Sequence, residues 1–190
     1  SGYVLPPASI QRLVETDKNY ATLDYLSPDG DHFLVPHVTE LSTLDLMSRI
    51  FNEFKYKGGV TDISTPVDRV IAGKQGVCQD FAHLQIACLR SLGLPARYVS
   101  GYLRTHPPEG QERKIGADAS HASLAVWVPD HGWVDLDPTN AMIPGDEHIT
   151  VAWGRDYGDV SPVNGMVLGG GEHKVAVAVD VAPVNEPAPV

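Results

Sequence analysis

Cys78 stands in the stretch Gly76-Val77-Cys78-Gln79-Asp80-Phe81-Ala82-His83, just where a helical pattern starts. A thiol in the first turn of a helix meets unpaired backbone N–H groups and the positive end of the helix dipole, and both favour the thiolate. Cys78 is therefore a candidate nucleophile, although a buried structural cysteine is the ordinary reading of a lone Cys on a helix. A nucleophilic thiol needs a base, and the base needs a group to orient it. His83 lies five positions on, about 140° round the helix axis, on the wrong side for direct contact. His121, at the start of a strand-like run in Asp118-Ala119-Ser120-His121-Ala122-Ser123, is better placed. Its carboxylate partner falls in Trp133-Val134-Asp135-Leu136-Asp137-Pro138-Thr139, where Asp135 and Asp137 both qualify.

The elements that must hold these groups follow from periodicity. Phe81, Leu84, Cys88 and Leu92 recur at helical spacing, with Ala82, Ile86 and Leu89 on a second flank, so the helix is buried between other elements. Gly93 suits its left-handed cap and Pro95 stops it. Upstream, Thr39 or Ser42 caps a helix whose apolar face is Leu44, Met47, Ile50, Phe51 and Phe54, and which ends at Gly58-Gly59. Thr65-Pro66 starts a short helix running to about Ile71. After Pro95 the period changes to two. Strands are expected at 97–103, 121–128 and 132–137, with a long polar loop over 104–119 between the first two. Residues 140–172 carry little pattern beyond Ile149 to Trp153, and Lys174 to Val181 reads as a final strand. Gly169-Gly170-Gly171 lacks the context of a nucleotide loop and reads as a turn.

Composition narrows the class. The 190 residues hold 14 Lys and Arg against 24 Asp and Glu, a net charge of -10, which argues against nucleic acid or an anionic membrane as partner. Hydrophobic residues make up 43%, enough for a substantial core, yet no apolar run approaches the ~20 residues that span a bilayer. Cys78 and Cys88 lie about 15 Å apart along one helix, too far for a disulfide. Two free thiols and no signal-peptide pattern point to a cytoplasmic setting. Residues 1–40, punctuated by Pro6-Pro7, Ser27-Pro28-Asp29-Gly30-Asp31 and Pro36, read as an irregular lead-in in which Leu23 to Leu26 forms a short strand or turn. A single domain over 41–182 and a loose Pro-rich tail over 183–190 complete the chain. The acidic residues lack calcium-loop spacing and no His/Cys cluster has zinc spacing, so neither metal nor cofactor is implied.

The blocks Gly76-Val77-Cys78, His121-Ala122 and Asp137-Pro138-Thr139, in that order and context, resemble the transglutaminase-like superfamily of cysteine enzymes. Gly76 to His83, Arg97-Tyr98-Val99-Ser100-Gly101-Tyr102, Gly154-Arg155-Asp156-Tyr157 and Asp159-Val160-Ser161-Pro162 are similar to its bacterial branch, so the resemblance covers roughly 40–165. It implies an α+β, papain-like fold, with a nucleophile helix packed on an antiparallel sheet, and a triad of Cys78, His121 and Asp137. It also implies that the lead-in is linker from an N-terminal β-rich domain. Where the family often follows His-Ala with Trp, this chain has Ser123. Animal members use an upstream Trp to hold the oxyanion, but Trp127, Trp133 and Trp153 all lie downstream, leaving Gln75 and Tyr56 as candidate donors.

Strand parity offers a geometric test. His121, Ser123, Ala125 and Trp127 share one face of their strand, as do Trp133, Asp135 and Asp137 of theirs. His121 and Asp137 can meet only if odd pairs with odd, so Trp127 should face Trp133, directly or through a bulge. That register sets Asp137 diagonal to His121 and Asp135 nearer Ala125, which favours Asp137. The expected activity is attack of the Cys78 thiolate on a protein or peptide amide to form a thioester, resolved by water or by an amine. The alternative is a catalytically silent binding module of the same fold. Iodoacetamide reactivity of Cys78 against Cys88 separates the classes, and oligomeric state is not read from the sequence.

Overall fold

The computed structural model describes residues 22–26, 32–36, 40–106, 118–128, 131–162, 165, 169 and 177–183. Strands β1 (Thr22–Leu26) and β2 (His32–Pro36) pair antiparallel, with Leu23 opposite Val35. The first is the short strand read at Leu23 to Leu26, and its pairing into a hairpin replaces the otherwise irregular lead-in expected there. The intervening Asp29-Gly30 is itself a hairpin signal. Helix α1 (Glu40–Glu53) buries Leu46, Met47 and Ile50 and leads into buried Phe54. Phe51 is 48% exposed instead of joining that face, because it sits about 100° round from Ile50, off the stripe. Helix α1 gives way at once to β3 (Lys55–Tyr56), which pairs parallel with β4 (Gln75–Gly76) on either side of helix α2 (Val67–Gly73). Pro66, not Thr65, is the N-cap of α2.

Helix α3 (Cys78–Ser91) is the centre of the core. Phe81, Leu84, Ile86, Cys88 and Leu89 are buried, each large apolar side chain contributing about 1.5–3 kcal/mol. Gly93, at φ 78°, closes the helix as its position suggested. Against α3 packs a four-stranded antiparallel sheet of β5 (Ala96–Leu103), β6 (Ala119–Val128), β7 (Gly132–Leu136) and β8 (His148–Gly154), in the order β7-β6-β5-β8. Ala96, Tyr98, Ala122, Leu124, Val126 and Leu136 join the helix in one apolar cluster. On odd-numbered positions Arg97 lies between Trp133 and Trp153, its guanidinium 4.3 Å and 4.6 Å from the two rings.

Trp127 faces Trp133 without a bulge, as parity required. The bulge lies elsewhere, between Ser100 and Gly101 where β5 meets β8. A Cβ at Gly101 would lie 1.9 Å from the Ile149 carbonyl oxygen, so only glycine lets β8 come this close. Helix α4 (Tyr157–Val160) follows β8. Of the run 174–181, the described part makes a single bridge, Val179 with Asp118, in place of the strand expected. Asp118 also accepts from Thr105 N (2.7 Å) and Val181 N (2.6 Å), tying the ends of the polar loop to the C-terminal segment. Residues 107–117, the Gly170-Gly171 pair and 184–190 lie outside the described residues.

Candidate active site

The start of α3 is fixed by a buried carboxylate. Asp80 Oδ2 accepts from the Val77 backbone N–H (2.7 Å) and from the Thr61 hydroxyl (2.6 Å), closing the N-terminus of the helix on itself. Gly76 makes room for it, since a Cβ there would stand 2.6 Å from that same oxygen. With Val77 as N-cap, Cys78 is the first helical residue, partly exposed, beside N–H groups that have no intrahelical acceptor.

His121 lies three residues into β6. Its Nε2 is 2.8 Å from Asp137 Oδ2, and Cys78 acts on the same ring, favouring its charged form as Asp137 does. Asp137 follows β7 directly and is fully buried. Its other oxygen, Oδ1, accepts from Thr139 N (2.9 Å) and Asn140 N (3.3 Å), while Asn140 Nδ2 reaches Oδ2 at 2.7 Å. The 137–142 loop that makes this possible is closed by a reciprocal backbone pair between Asp137 and Met142, with Ala141 at φ 50°. Cys78, His121 and Asp137 are thus brought together from one helix and two adjacent strands.

The electrostatics follow from burial and pairing. Burial opposes charge on His121, but hydrogen bonds to Asp137 and Cys78, and their charges, outweigh it and lift the ring to about 9. Burial also works against an ionised Asp137, yet His121, His148 and Asn140 hold it down at about 2. Burial and then the charge of Cys78 push the hydroxyls of Tyr98 and Tyr56 up, so both tyrosines stay neutral donors near the sulfur. Cys88, by contrast, is enclosed in the core, and burial drives its thiol up to about 12.

Several neighbours fall where the sequence did not place them. His148, at the start of β8, donates through Nε2 to the same Asp137 oxygen at 3.0 Å, and its side chain is only 7% exposed. The one signal for it was its position just ahead of the Ile149–Trp153 run. Asn140 and Asp80 were likewise not singled out. His83 belongs to the core packing: its Nε2 accepts from Tyr157 N at 3.2 Å and its ring lies 4.9 Å from that of Tyr98. Asp135 pairs with Ala125, away from His121, as the register required.

A sequence profile of the transglutaminase-like superfamily matches residues 39–138, the stretch that carries all three of these side chains. The chain belongs to the transglutaminase-like superfamily. An uncharacterized protein of Mycobacterium tuberculosis is 51% identical over 144 residues, covering 73% of this chain and 46% of its own length. The chain thus spans about half the length of the curated relatives it matches. The protein-glutamine gamma-glutamyltransferase of Pseudomonas aeruginosa is 33% identical over 72 residues, covering 37% of this chain and 11% of its own. Among solved structures, "a Putative Cysteine Protease from Cytophaga hutchinsonii" superposes with a TM-score of 0.54 at 31% identity, over 65% of this chain and 39% of that one. Membership of the transglutaminase-like superfamily, with its helix packed on an antiparallel sheet, agrees with the fold class read from the sequence.

Proposed function

We propose that this protein is a cysteine-dependent amide hydrolase or acyl transferase, with Cys78 as nucleophile, His121 as base and acid, and Asp137 orienting His121. The observation that carries the reading is the convergence of Cys78 and the buried Asp137 on one ring, His121, whose Nε2 lies 2.8 Å from Asp137 Oδ2. At rest, a ring lifted to about 9 is an imidazolium at neutral pH, and the first turn of α3 supplies the N–H groups and dipole end that favour a thiolate opposite it. The sulfur attacks the carbonyl carbon of a protein or peptide amide, and the C–O π electrons move onto oxygen. Backbone N–H groups at the start of α3 receive that oxyanion. The oxyanion collapses, the C–N bond breaks, and His121 Nδ1 gives its proton to the departing amine. A thioester remains. Water, deprotonated by the now neutral His121, or an amine then releases the acyl group and restores the thiolate.

Tyr56 is the preferred second oxyanion donor. It opposes Gly76 in the short β3–β4 pairing, and its hydroxyl feels the charge of Cys78. Nothing comparable connects Gln75 with the sulfur. The name of the solved Cytophaga relative favours hydrolysis, and that of the Pseudomonas enzyme favours amine transfer; hydrolysis is the reading taken. The test uses a glutamine-rich protein such as casein with and without a fluorescent primary amine, and follows ammonia or peptide release against amine incorporation. Native protein should turn over, and Cys78→Ala should fold normally and do neither. Full turnover by Cys78→Ala would overturn the assignment.

A further inference from the structure

Two histidines converge on one carboxylate oxygen, and only one of them serves the chemistry above. One ring nitrogen each of His121 and His148 and a carboxylate oxygen of Asp137 lie within 4.8 Å of one another, and both Nε2 atoms are within 3.0 Å of Asp137 Oδ2, although β6, β7 and β8 contribute one residue each or its immediate flank. We propose that these three side chains form a binding site for a divalent transition-metal ion of the zinc class, and that occupancy switches the cysteine chemistry off. The effect on turnover rests on the proposed function; the binding does not.

The donor set is two neutral imidazoles and a carboxylate, the kind that takes Zn2+ with one position left open. Zinc sits about 2.0–2.2 Å from such atoms, so donors in a tetrahedral site are about 3.3 Å apart. The present N···O separations, 2.8 Å and 3.0 Å, need to widen by roughly half an ångström. Asp137 is braced for this. Thr139 N and Asn140 N hold Oδ1, and Asn140 Nδ2 braces Oδ2 where it faces the two rings. Held ligands of this kind bind metal more tightly than loose ones.

His148 is held by little else. Its Nδ1 is buried and has no hydrogen-bond partner among the described residues, so the nitrogen that would ligate also makes the ring's one hydrogen bond to protein. Exchanging that bond for a metal bond sacrifices no other contact. A cleft lined by His121, His148, Ser123, Tyr102 and Thr150 gives an ion a route in.

Binding displaces the Nε2 proton from each ring, to solvent or to Nδ1. With the metal on Nε2, His121 can hold at most one proton, on Nδ1, whereas the imidazolium needs one on each nitrogen. No imidazolium forms, and the departing amine receives no proton. The metal therefore inhibits without touching the sulfur.

Titration calorimetry with Zn2+, backed by the visible absorption of Co2+, tests the site in the 190-residue protein. Native protein and Cys78→Ala should each bind one ion with affinities within threefold of each other. His148→Ala should weaken binding at least tenfold, and so should His148→Gln, whose amide keeps a donor for Asp137 but is a poor zinc ligand; circular dichroism checks that both are folded. Loss of binding in Cys78→Ala would put the metal on the sulfur and overturn the proposal. So would no binding by native protein, or less than tenfold weakening in both His148 variants. Because Cys78→Ala has no nucleophile, the result is independent of whether amide turnover is found.

Discussion

Replacing Asp137 by Asn is the most informative single change, because the side chain keeps its shape and loses its charge. The amide oxygen can still accept from Thr139 N and Asn140 N at the Oδ1 position. At Oδ2 an NH2 group would then meet three donors, His121, His148 and Asn140. The depression of Asp137 from 3.8 to about 2 corresponds to about 2.4 kcal/mol at 1.36 kcal/mol per unit. The rise of His121 from 6.5 to about 9 corresponds to about 3.4 kcal/mol. The two overlap without being equal, since His148 also leans on Asp137 and Cys78 also leans on His121, so the smaller is taken as a floor. Removing about 2.4 kcal/mol moves the balance about 60-fold towards the neutral ring. At pH 7.5 the imidazolium then falls from roughly 30 to 1 in excess to a minority of roughly 1 to 2. The population change alone costs roughly threefold in rate, and loss of ring orientation adds a further factor of about 100 or more. Two readouts need no substrate: an NMR titration of His121, and the pH profile of Cys78 alkylation by iodoacetamide. If Asp137→Asn leaves both within experimental error of native, Asp137 does not govern His121 and the reasoning fails.

Other outcomes follow from the same geometry. Activity should fall as pH rises through about 9, where His121 loses its proton; the stability its raised value contributes is complete below about 6.5 and drains away over the same interval, which thermal melts across pH would follow. Asp137, shifted the other way, contributes stability above about 3.8 that is lost as pH falls through about 2, visible as acid unfolding that Asp137→Asn blunts. Tyr56→Phe should lower kcat roughly 100-fold with KM little changed, and should shift stability by less than about 0.5 kcal/mol because the residue is 62% exposed. An unchanged kcat would remove Tyr56 from the oxyanion site. Gly76→Ala should destabilise the fold by about 1–2 kcal/mol in urea titration, since the new methyl displaces the Asp80 cap.

How legible this was depends on how local each feature is. Helix α3 was plain because its apolar spacing, glycine cap and terminating proline all lie within twenty residues. Requiring His121 and Asp137 to share a face was enough to set Trp127 opposite Trp133, against the simplest four-residue turn, and that register together with the family resemblance favoured Asp137 over Asp135. His148 was not legible. Its place beside Asp137 depends on β8 returning past β6 to pair with β5, and on a bulge that only Gly101 tolerates. The zinc-like donor set escaped for the same reason, being spread over three strands with no spacing to betray it. The β1–β2 hairpin was missed differently: its turn residues were read as punctuation in an irregular stretch. The described part of the run 174–181 makes one bridge in place of a strand, since alternating valines extend a sheet only as far as a partner edge runs beside them.

Asp137 follows the sheet's one outer strand, β7, and His148 begins the other, β8, so the stretch from 137 to 148 runs from margin to margin. One oxygen atom serves as the clasp between them. Anything that prises it open slackens both margins together. Backbone amide exchange along β8, far from the sulfur in sequence, would then act as a gauge of the state of the reacting centre.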